Sequence, residues 1–284
     1  MINYIKIIRR RFLLNYVRFV KFLLSNILYN IFNFLLFKTR WKYLLYYNFI
    51  DNHRIINKIN NNLEYKFYSL SRMTQSRYNN FLKAEPYTIK WIDGFPKGKI
   101  FWDIGSNVGL FAIYYAKKNN NNKVISFEPS VFNLEILARN IFLNNLTKNI
   151  SIFPLPLNKS SEINDFNMNN TEYGGALSGF GVDYDENFNK RDINFKYSTF
   201  GMSLDKLIEI YNLEIPHFIK IDVDGIEELI LEGSKKLFND KNLNSVLVEN
   251  PNNLESISNF FKKFNFVLKE DIANVQIWER NSSN

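Results

Sequence analysis

The sequence predicts an α/β fold in which helices cover both faces of a mostly parallel sheet. From residue 99 onward, short apolar runs typical of buried strands alternate with longer segments of helical periodicity. A glycine-containing turn, "DIGSNVG" at 103–109, follows the first of these runs. Acidic or amide side chains follow several later runs, at the edge of a parallel sheet where ligands bind. Together these observations predict a ligand-binding α/β domain.

The elements of this domain follow from the same patterns. The predicted strands cover residues 99–104, 123–127, 150–157, about 194–200, 217–225 and 245–249, and a closing pair reads "FNFVLKE" and "NVQIWER". The predicted helices cover 110–117, 133–144, a segment that Ser203 opens as its N-cap, 227–238 and 254–264. The closing pair predicts a C-terminal antiparallel hairpin. The main domain is therefore expected over residues 99–280.

Residues 46–98 are predicted to form a lead-in segment that caps the ligand site. The stretch "LEYKFYSL" at 63–70 alternates like a strand. The stretch "YTIKWIDGFPKGK" at 87–99 predicts a short helix, which Gly94, Pro96 and Gly98 end.

Residues 1–45 are predicted to form a basic, amphipathic helical leader. Nine basic residues and no acidic one lie within 1–42, so subtracting nine from the net charge of +8 leaves about −1 for the rest of the chain. The remaining chain is close to neutral, and we therefore expect no nucleic-acid partner. The leader either lies on a membrane surface or packs on its own domain or on a second subunit of a homodimer. With no cysteine in the chain, we expect a cytoplasmic protein, or one held at the inner face of the membrane.

The turn after the first strand predicts a nucleoside cofactor. Gly105 and Gly109 allow a tight turn and a close approach of the ligand. Glu128 ends the next strand 23 residues after Gly105, where a carboxylate can accept hydrogen bonds from both ribose hydroxyls. The spacing G-S-N-V-G lacks the second glycine of a pyrophosphate-binding loop. S-adenosylmethionine, which has no phosphate, therefore fits better than a dinucleotide.

Polar side chains are expected to crowd at one edge of the sheet. Five of them lie at the carboxyl ends of successive predicted strands: Asp103, Glu128, Asn158, Asp222 and Glu249. So many carboxylates at one edge repel one another unless a polar or cationic group lies among them.

Four motifs carry a resemblance to a known family. The stretches "FWDIGSNVG", "VISFEPSVFNLEILARNIFLNN", "SLDKL" and "FIKIDVDGIEELILEGSKKLF" occur in the family's order, and the similarity covers about residues 63–280. They resemble the FkbM family of S-adenosylmethionine-dependent methyltransferases. The resemblance implies a Rossmann-like class I methyltransferase fold, with a mostly parallel seven-stranded sheet. It also implies methyl transfer to a hydroxyl oxygen, with a sugar or surface-glycan precursor as the acceptor.

The resemblance also implies roles for individual residues. Asp222 would lie near the reacting methyl group and is the candidate base, with Asp224 and Glu249 as the next candidates. Glu85 and Thr88 would lie near the methionine end of the cofactor. The other cofactor-binding residues would be Asp103, Gly105, Ser106, Asn107, Gly109, Glu128, Pro129 and Asn158.

Several alternatives stay open. The chain could be a non-catalytic binding protein on a methyltransferase fold, or an N-methyltransferase, although "DVDG" stands where many amino-group methylases carry an N-P-P-Y segment. Residues 158–193 are either the acceptor-recognition insert or a surface loop. No metal site is expected: the chain has only two histidines, and His217 is interpreted as structural. Asp222, Asp224 and Glu227 could bind a cation, but the turn at Gly225 and the helix start give a simpler account of the last two.

Overall fold

The computed structural model describes residues 20, 22–31, 54–185, 189–249, 254–272 and 274–281. The chain divides into two compact units, residues 1–53 and 54–284. In the first unit residues 22–31 are helical with exposed side chains, and most of the predicted leader lies outside the described residues. No helix within the described ranges is long and apolar enough to cross a membrane.

The described part of the second unit is an α/β structure. Its strands are β1 (Ile55–Asn60), β2 (Leu63–Tyr68), β3 (Ile100–Ile104), β4 (Lys123–Phe127), β5 (Ile150–Phe153), β6 (Glu162–Met168), β7 (Ser178–Phe180), β8 (Phe195–Gly201), β9 (Phe218–Ile221), β10 (Ser245–Glu249), β11 (Phe266–Ile272) and β12 (Val275–Arg280). Its helices are α1 (Arg72–Asn80), α2 (Pro86–Asp93), α3 (Leu110–Lys118), α4 (Val131–Leu143), α5 (Leu204–Tyr211), α6 (Glu227–Glu232), α7 (Lys235–Asn239) and α8 (Leu254–Lys263).

The central sheet has seven strands in the order β11-β12-β10-β9-β3-β4-β5. Strands β10, β9, β3, β4 and β5 are parallel neighbours, and β12 pairs antiparallel with both β10 and β11. This topology confirms the predicted fold class and its C-terminal hairpin. Because the chain leaves β3 toward β4 on one side and later returns to β9 on the other, the strand order reverses between β3 and β9. Ligands bind beside such a reversal in sheets of this type.

Apolar side chains alternate along the strands and build a core on each face of the sheet. On β3, Phe101 belongs to one buried cluster and Trp102 to the other. The Phe101 cluster includes side chains of β2, α3 and α4, and the Trp102 cluster includes side chains of α5, α6, α7 and α8. The polar edge described below is therefore supported by packed layers on both faces.

Residues 158–193 contain two strands, β6 and β7, and are therefore not simply a surface loop. Strand β6 pairs antiparallel with both β7 and β8 and forms a separate three-stranded sheet.

Strand β5 ends at Phe153, four residues before the predicted end at 157. The extension fails because Pro154 and Pro156 follow, and proline cannot donate a hydrogen bond to a neighbouring strand.

The predicted helix over 227–238 is two helices. α6 ends at Glu232 and α7 begins at Lys235. At Gly233 a Cβ would lie 2.4 Å from the Asn158 carbonyl oxygen. The chain therefore passes directly against residues 158–159 at this point, and the break allows that contact. Ser203 caps α5 as predicted, since its side chain accepts a hydrogen bond from the Lys206 amide.

Candidate cofactor and methyl-transfer site

A cavity opens at the carboxyl ends of β3, β4, β9 and β10, beside the reversal of strand order. The lead-in contributes Arg77 and Glu85 to its wall, and the three-stranded sheet contributes Phe166, Ser178 and Phe180. At the ends of the central strands or just after them, the lining residues include Gly105, Asn107, Glu128, Pro129, Asp222, Val223, Asp224 and Glu249. The structure thus brings together eight of the predicted site residues: Glu85, Gly105, Asn107, Glu128, Pro129, Asp222, Asp224 and the further candidate base Glu249.

The turn after β3 needs glycine at its first position. Gly105 has φ +79°, and a Cβ there would lie 1.8 Å from the Asp222 carbonyl oxygen. Only glycine permits both this dihedral angle and this approach. The close contact fixes the β3 turn directly against the end of β9.

The rest of the turn is held by hydrogen bonds. The Ser106 hydroxyl donates to the Asp103 carbonyl oxygen at 2.6 Å, and the Asn107 side chain donates to the Gly175 carbonyl oxygen at 2.7 Å. Gly109 has φ +84° and precedes α3 as its N-cap. Ser106 and Gly109 do not line the cavity; they shape the turn from which Asn107 reaches it.

Glu128 is a buried carboxylate that faces the cavity. It is 5% exposed. The backbone N–H of Asn107 donates to Glu128 Oε2 at 2.7 Å, and the backbone N–H of Ser130 donates to Glu128 Oε1 at 2.8 Å. Each oxygen keeps a second lone pair, so the group can still accept two ribose hydroxyls. Burial raises the pKa of Glu128 to about 7, and the two amide hydrogen bonds oppose that rise.

Asp103 lies beneath the turn. It is 1% exposed and does not line the cavity, and neither carboxylate oxygen has a hydrogen-bond partner among the described residues. Burial raises the pKa of Asp103 to about 6, and the charge of Lys220 opposes the rise.

Lys220 is the cation that the crowded carboxylates require, and the sequence prediction did not identify it. It lies on β9 with its side chain 1% exposed. Its ammonium forms an ion pair with Asp222 and lies 3.6 Å from Glu249 Oε2. Burial by itself lowers the pKa of Lys220, but the surrounding carboxylates, Asp222 first and then Glu85, outweigh burial and raise it.

Glu85 joins this group from the start of α2. The Thr88 hydroxyl donates to its Oε2 at 3.3 Å. Thr88 itself is fully buried and does not line the cavity, so it supports Glu85 from behind. Burial raises the pKa of both Glu85 and Glu249, that of Glu249 to about 8, and the charge of Asp222 raises it further in each case.

Comparison with known proteins identifies the family. Residues 103–270, more than half of the chain, match the model of the methyltransferase FkbM domain. This chain belongs to the FkbM methyltransferase family. The match confirms the family predicted from the four sequence motifs, whose members use S-adenosylmethionine.

Three similar proteins share 27% sequence identity or less with this chain over the aligned residues. Methyltransferase sdnD of Sordaria araneosa is 27% identical over 96 residues, which are 34% of this chain and 36% of that protein. The FkbM methyltransferase of Methylobacillus flagellatus KT has a TM-score of 0.46 at 15% identity, over 74% of this chain and 55% of the other. TrmK of M. capricolum, solved with S-adenosyl-homocysteine, has a TM-score of 0.42 at 12% identity, over 69% and 68%. The chain thus spans about a third and about half of the first two proteins.

Asn158 does not line the cavity, contrary to its predicted place in the cofactor site. Its side chain donates to Glu162 Oε1 at 2.7 Å and its amide to the Met202 carbonyl oxygen at 3.1 Å. The chain leaves β5 at Phe153 and lines the cavity with Leu155, Pro156 and Leu157, and it turns away from the cavity only at Asn158. The residue closes the base of the three-stranded sheet instead.

Asp224 lines the cavity but is tied to the three-stranded sheet. The Ser178 amide donates to its Oδ2 at 3.1 Å, and Arg191 donates to its carbonyl oxygen at 2.7 Å. Burial, and then the charge of Asp222, raises the pKa of Asp224. Asp224 is therefore placed to fix the insert against β9.

Glu227 and His217 have structural partners. The Gly225 amide donates to Glu227 Oε1 at 3.2 Å. His217 precedes β9 at the opposite edge of the sheet, where its Nδ1 accepts a hydrogen bond from the Ile100 amide at 3.2 Å.

Proposed function

We propose that this chain is an S-adenosylmethionine-dependent O-methyltransferase that acts on a hydroxyl of a sugar or surface-glycan precursor. One observation carries the proposal: a single cavity in an FkbM domain joins a nucleoside-binding carboxylate, Glu128, to a separate carboxylate group around Asp222. The first suits cofactor binding, and the second suits an acceptor hydroxyl.

The cofactor end is built by the turn after β3 and by Glu128. When bound, S-adenosylmethionine supplies an electrophilic methyl group on a positively charged sulfur. Glu128 accepts the ribose hydroxyls, and its orientation is fixed in advance by the amides of Asn107 and Ser130. No ordering of this side chain is then needed on binding, which favours affinity.

The acceptor end is built by Asp222, Glu249 and the three-stranded sheet. Asp222 follows β9 beside the glycine turn, and its carboxylate can orient a hydroxyl and accept its proton during transfer. Phe166 and Phe180 of the three-stranded sheet supply apolar surface in the same cavity. Aromatic surface beside carboxylates suits a sugar ring, which has apolar faces and hydroxyl edges.

We place the enzyme in the cytoplasm, with residues 1–42 as a peripheral contact to the inner face of the membrane or as part of a homodimer. The basic charge of the leader supports attraction to anionic lipid headgroups.

Two measurements test the proposal. Calorimetry with S-adenosylhomocysteine tests cofactor binding, and transfer of a labelled methyl group from S-adenosylmethionine to glycan precursors tests the reaction. We expect binding and transfer to oxygen. Binding without transfer to any glycan would favour a non-catalytic protein, and label found on nitrogen would favour an N-methyltransferase.

A further inference from the structure

Lys220 and three carboxylates form a compact charged cluster at the acceptor end of the cavity. Oxygens of Glu85, Asp222 and Glu249 all lie within 4.8 Å of one another. The Lys220 ammonium contacts Asp222 and Glu249 and lies 4.9 Å from the centre of the Phe111 ring. We call these four residues the lysine cluster. Three of its members line the cavity, and Lys220 lies behind them.

Three carboxylates at this spacing need positive charge between them. Oxygen ligands so arranged suit a hard divalent cation such as Mg²⁺ or Mn²⁺. In this chain the side chain of Lys220 reaches the group from β9, whose four residues are all buried. A buried ammonium is tolerated only when it is paired, and the ion pair with Asp222 meets that need.

The Lys220 ammonium is also fixed in place, unlike an exchangeable ion. The backbone of Lys220 is part of β9, which pairs with β3 on one side and β10 on the other in the centre of the sheet. The Phe111 ring bounds the ammonium through a cation–π contact. The charge therefore has one position relative to Asp222 and Glu249.

We propose that Lys220 is a positioning residue that takes the place of a divalent cation in the lysine cluster. It holds Asp222 and Glu249 in the orientation in which they meet the acceptor, a role that rests on the proposed methyl transfer. The charge role of Lys220 does not depend on the identity of the acceptor. It predicts that the wild-type cluster has no affinity for added divalent cations, and that removal of the lysine charge creates such affinity.

The test compares thermal unfolding and Mn²⁺ titration of the wild-type chain and of Lys220→Met, which keeps a similar volume without the charge. We expect Lys220→Met to unfold at lower temperature and to recover stability on addition of MnCl₂, because a ligand that binds only the folded state stabilises it. The wild-type unfolding temperature should not respond. The double variant Lys220→Met with Glu249→Gln should lose the response, and the exposed control Lys206→Met should behave as wild type.

A second readout concerns the cofactor. Mn²⁺ should restore most of any affinity for S-adenosylhomocysteine that Lys220→Met loses, since a correctly placed charge restores the carboxylate positions. A lysine that serves only to fill space would give no such recovery. Folded Lys220→Met that gains no Mn²⁺ response would overturn the proposal, as would wild-type protein that binds Mn²⁺ in a Glu249-dependent way.

If Lys220→Met does not fold, the variant Glu85→Gln tests the charge role of Lys220 instead. With one ammonium among several carboxylates, loss of the Glu85 charge leaves Lys220 paired with Asp222. The unfolding temperature should therefore stay level or rise, and a marked fall would overturn the charge role. Failure of the methyl-transfer proposal is seen separately, because it shows in the wild-type chain, without Mn²⁺, as no binding of S-adenosylhomocysteine or as no methyl transfer to a glycan oxygen.

Discussion

Glu128 accepts two hydrogen bonds from backbone amides that are already made in the structure without a ligand. Its carboxylate accepts the amides of Asn107 and Ser130, which lie on opposite sides of it along the chain. The group is therefore both buried and held in one orientation. Such a residue has effects on binding and on titration that can be measured independently.

We expect Glu128→Gln to weaken binding of S-adenosylhomocysteine by roughly 2–3 kcal/mol, the loss expected when hydrogen bonds to a charged group disappear. A glutamine offers one oxygen to the two amides, so its NH₂ group would also oppose an amide hydrogen. Calorimetry measures the change. Glu135→Gln, an exposed residue of α4 paired with Arg139, is the matched control. Equal affinity in both variants would remove Glu128 from the site.

The raised pKa of Glu128 predicts a pH-dependent affinity. The ribose hydroxyls donate to the charged form, whereas below about pH 7 the free protein holds the proton. Affinity for S-adenosylhomocysteine should thus fall as pH decreases through about 7, by up to about tenfold per unit below it. Calorimetry at pH 6, 7 and 8 tests this. Glu128→Gln should show a flatter profile, and an unchanged slope in this variant would assign the titration to another group.

The same carboxylates predict how stability depends on pH. A carboxyl group whose folded pKa is raised stabilises the fold below its unfolded pKa, and that contribution is lost as pH rises through the folded value. Asp103, Glu128 and Glu249 titrate at about 6, 7 and 8. The free energy of unfolding without cofactor should therefore fall between about pH 5 and 8. Urea denaturation measures it, and stability that rises throughout this range would contradict the burial of these groups.

Sequence motifs located the residues that local geometry determines, and missed the one determined by long-range contacts. Gly105 and Glu128 could be predicted because a tight turn and a strand end leave signatures in a few adjacent residues. Lys220 could not, because one lysine in an apolar strand gives no sign of what it faces. The carboxylates around it come from α2, β9 and β10, far apart in sequence. The expected crowding of carboxylates was the signal that could have led to it.

At the scale of elements, the turn between β3 and α3 couples the two ends of the cavity. Its first glycine contacts the backbone of Asp222, and its asparagine amide holds Glu128. A change in the backbone at Gly105 should therefore shift both Glu128 and Asp222.

We expect Gly105→Ala to destabilise the fold by more than about 2 kcal/mol. The alanine would have to adopt a left-handed φ, and its Cβ would clash with the Asp222 carbonyl oxygen. Gly94→Ala is the control, since Gly94 has φ −74° and a Cβ there would meet only the Trp91 carbonyl oxygen at 3.3 Å. Urea denaturation compares the two, and calorimetry records the accompanying loss of cofactor affinity. Equal costs for both variants would show that the turn tolerates the approach.

Other elements show why some boundaries could not be predicted. Strand β6 is rich in Asn and Asp, and it becomes a strand by pairing with β8 about thirty residues later. No local pattern records that pairing. The β1–β2 hairpin did leave a signal, because Asn61 and Asn62 both adopt positive φ as the turn of a two-residue hairpin requires.

At the scale of the whole molecule, charge and core are separated along the chain. Nine basic residues and one acidic residue, Asp51, precede Arg54, so the first 53 residues carry the whole formal charge of +8. Residues 54–284 form a compact unit with buried clusters of their own. The seven-stranded sheet and the cavity therefore belong to a part of the chain with no formal net charge.

A chain shortened to begin at Arg54 should fold and bind S-adenosylhomocysteine with the affinity of the full chain, because the described residues that line the cavity all lie in the second unit. It should also lose attachment to vesicles that contain anionic lipids, since the basic charge is removed with the leader. Calorimetry measures the affinity for S-adenosylhomocysteine. Sedimentation with vesicles at low and at physiological salt measures membrane attachment, with vesicles of neutral lipid as the control. If the shortened chain instead aggregates or loses cofactor affinity, residues 1–53 are part of the folded core or of a subunit interface, and the membrane role of the leader fails.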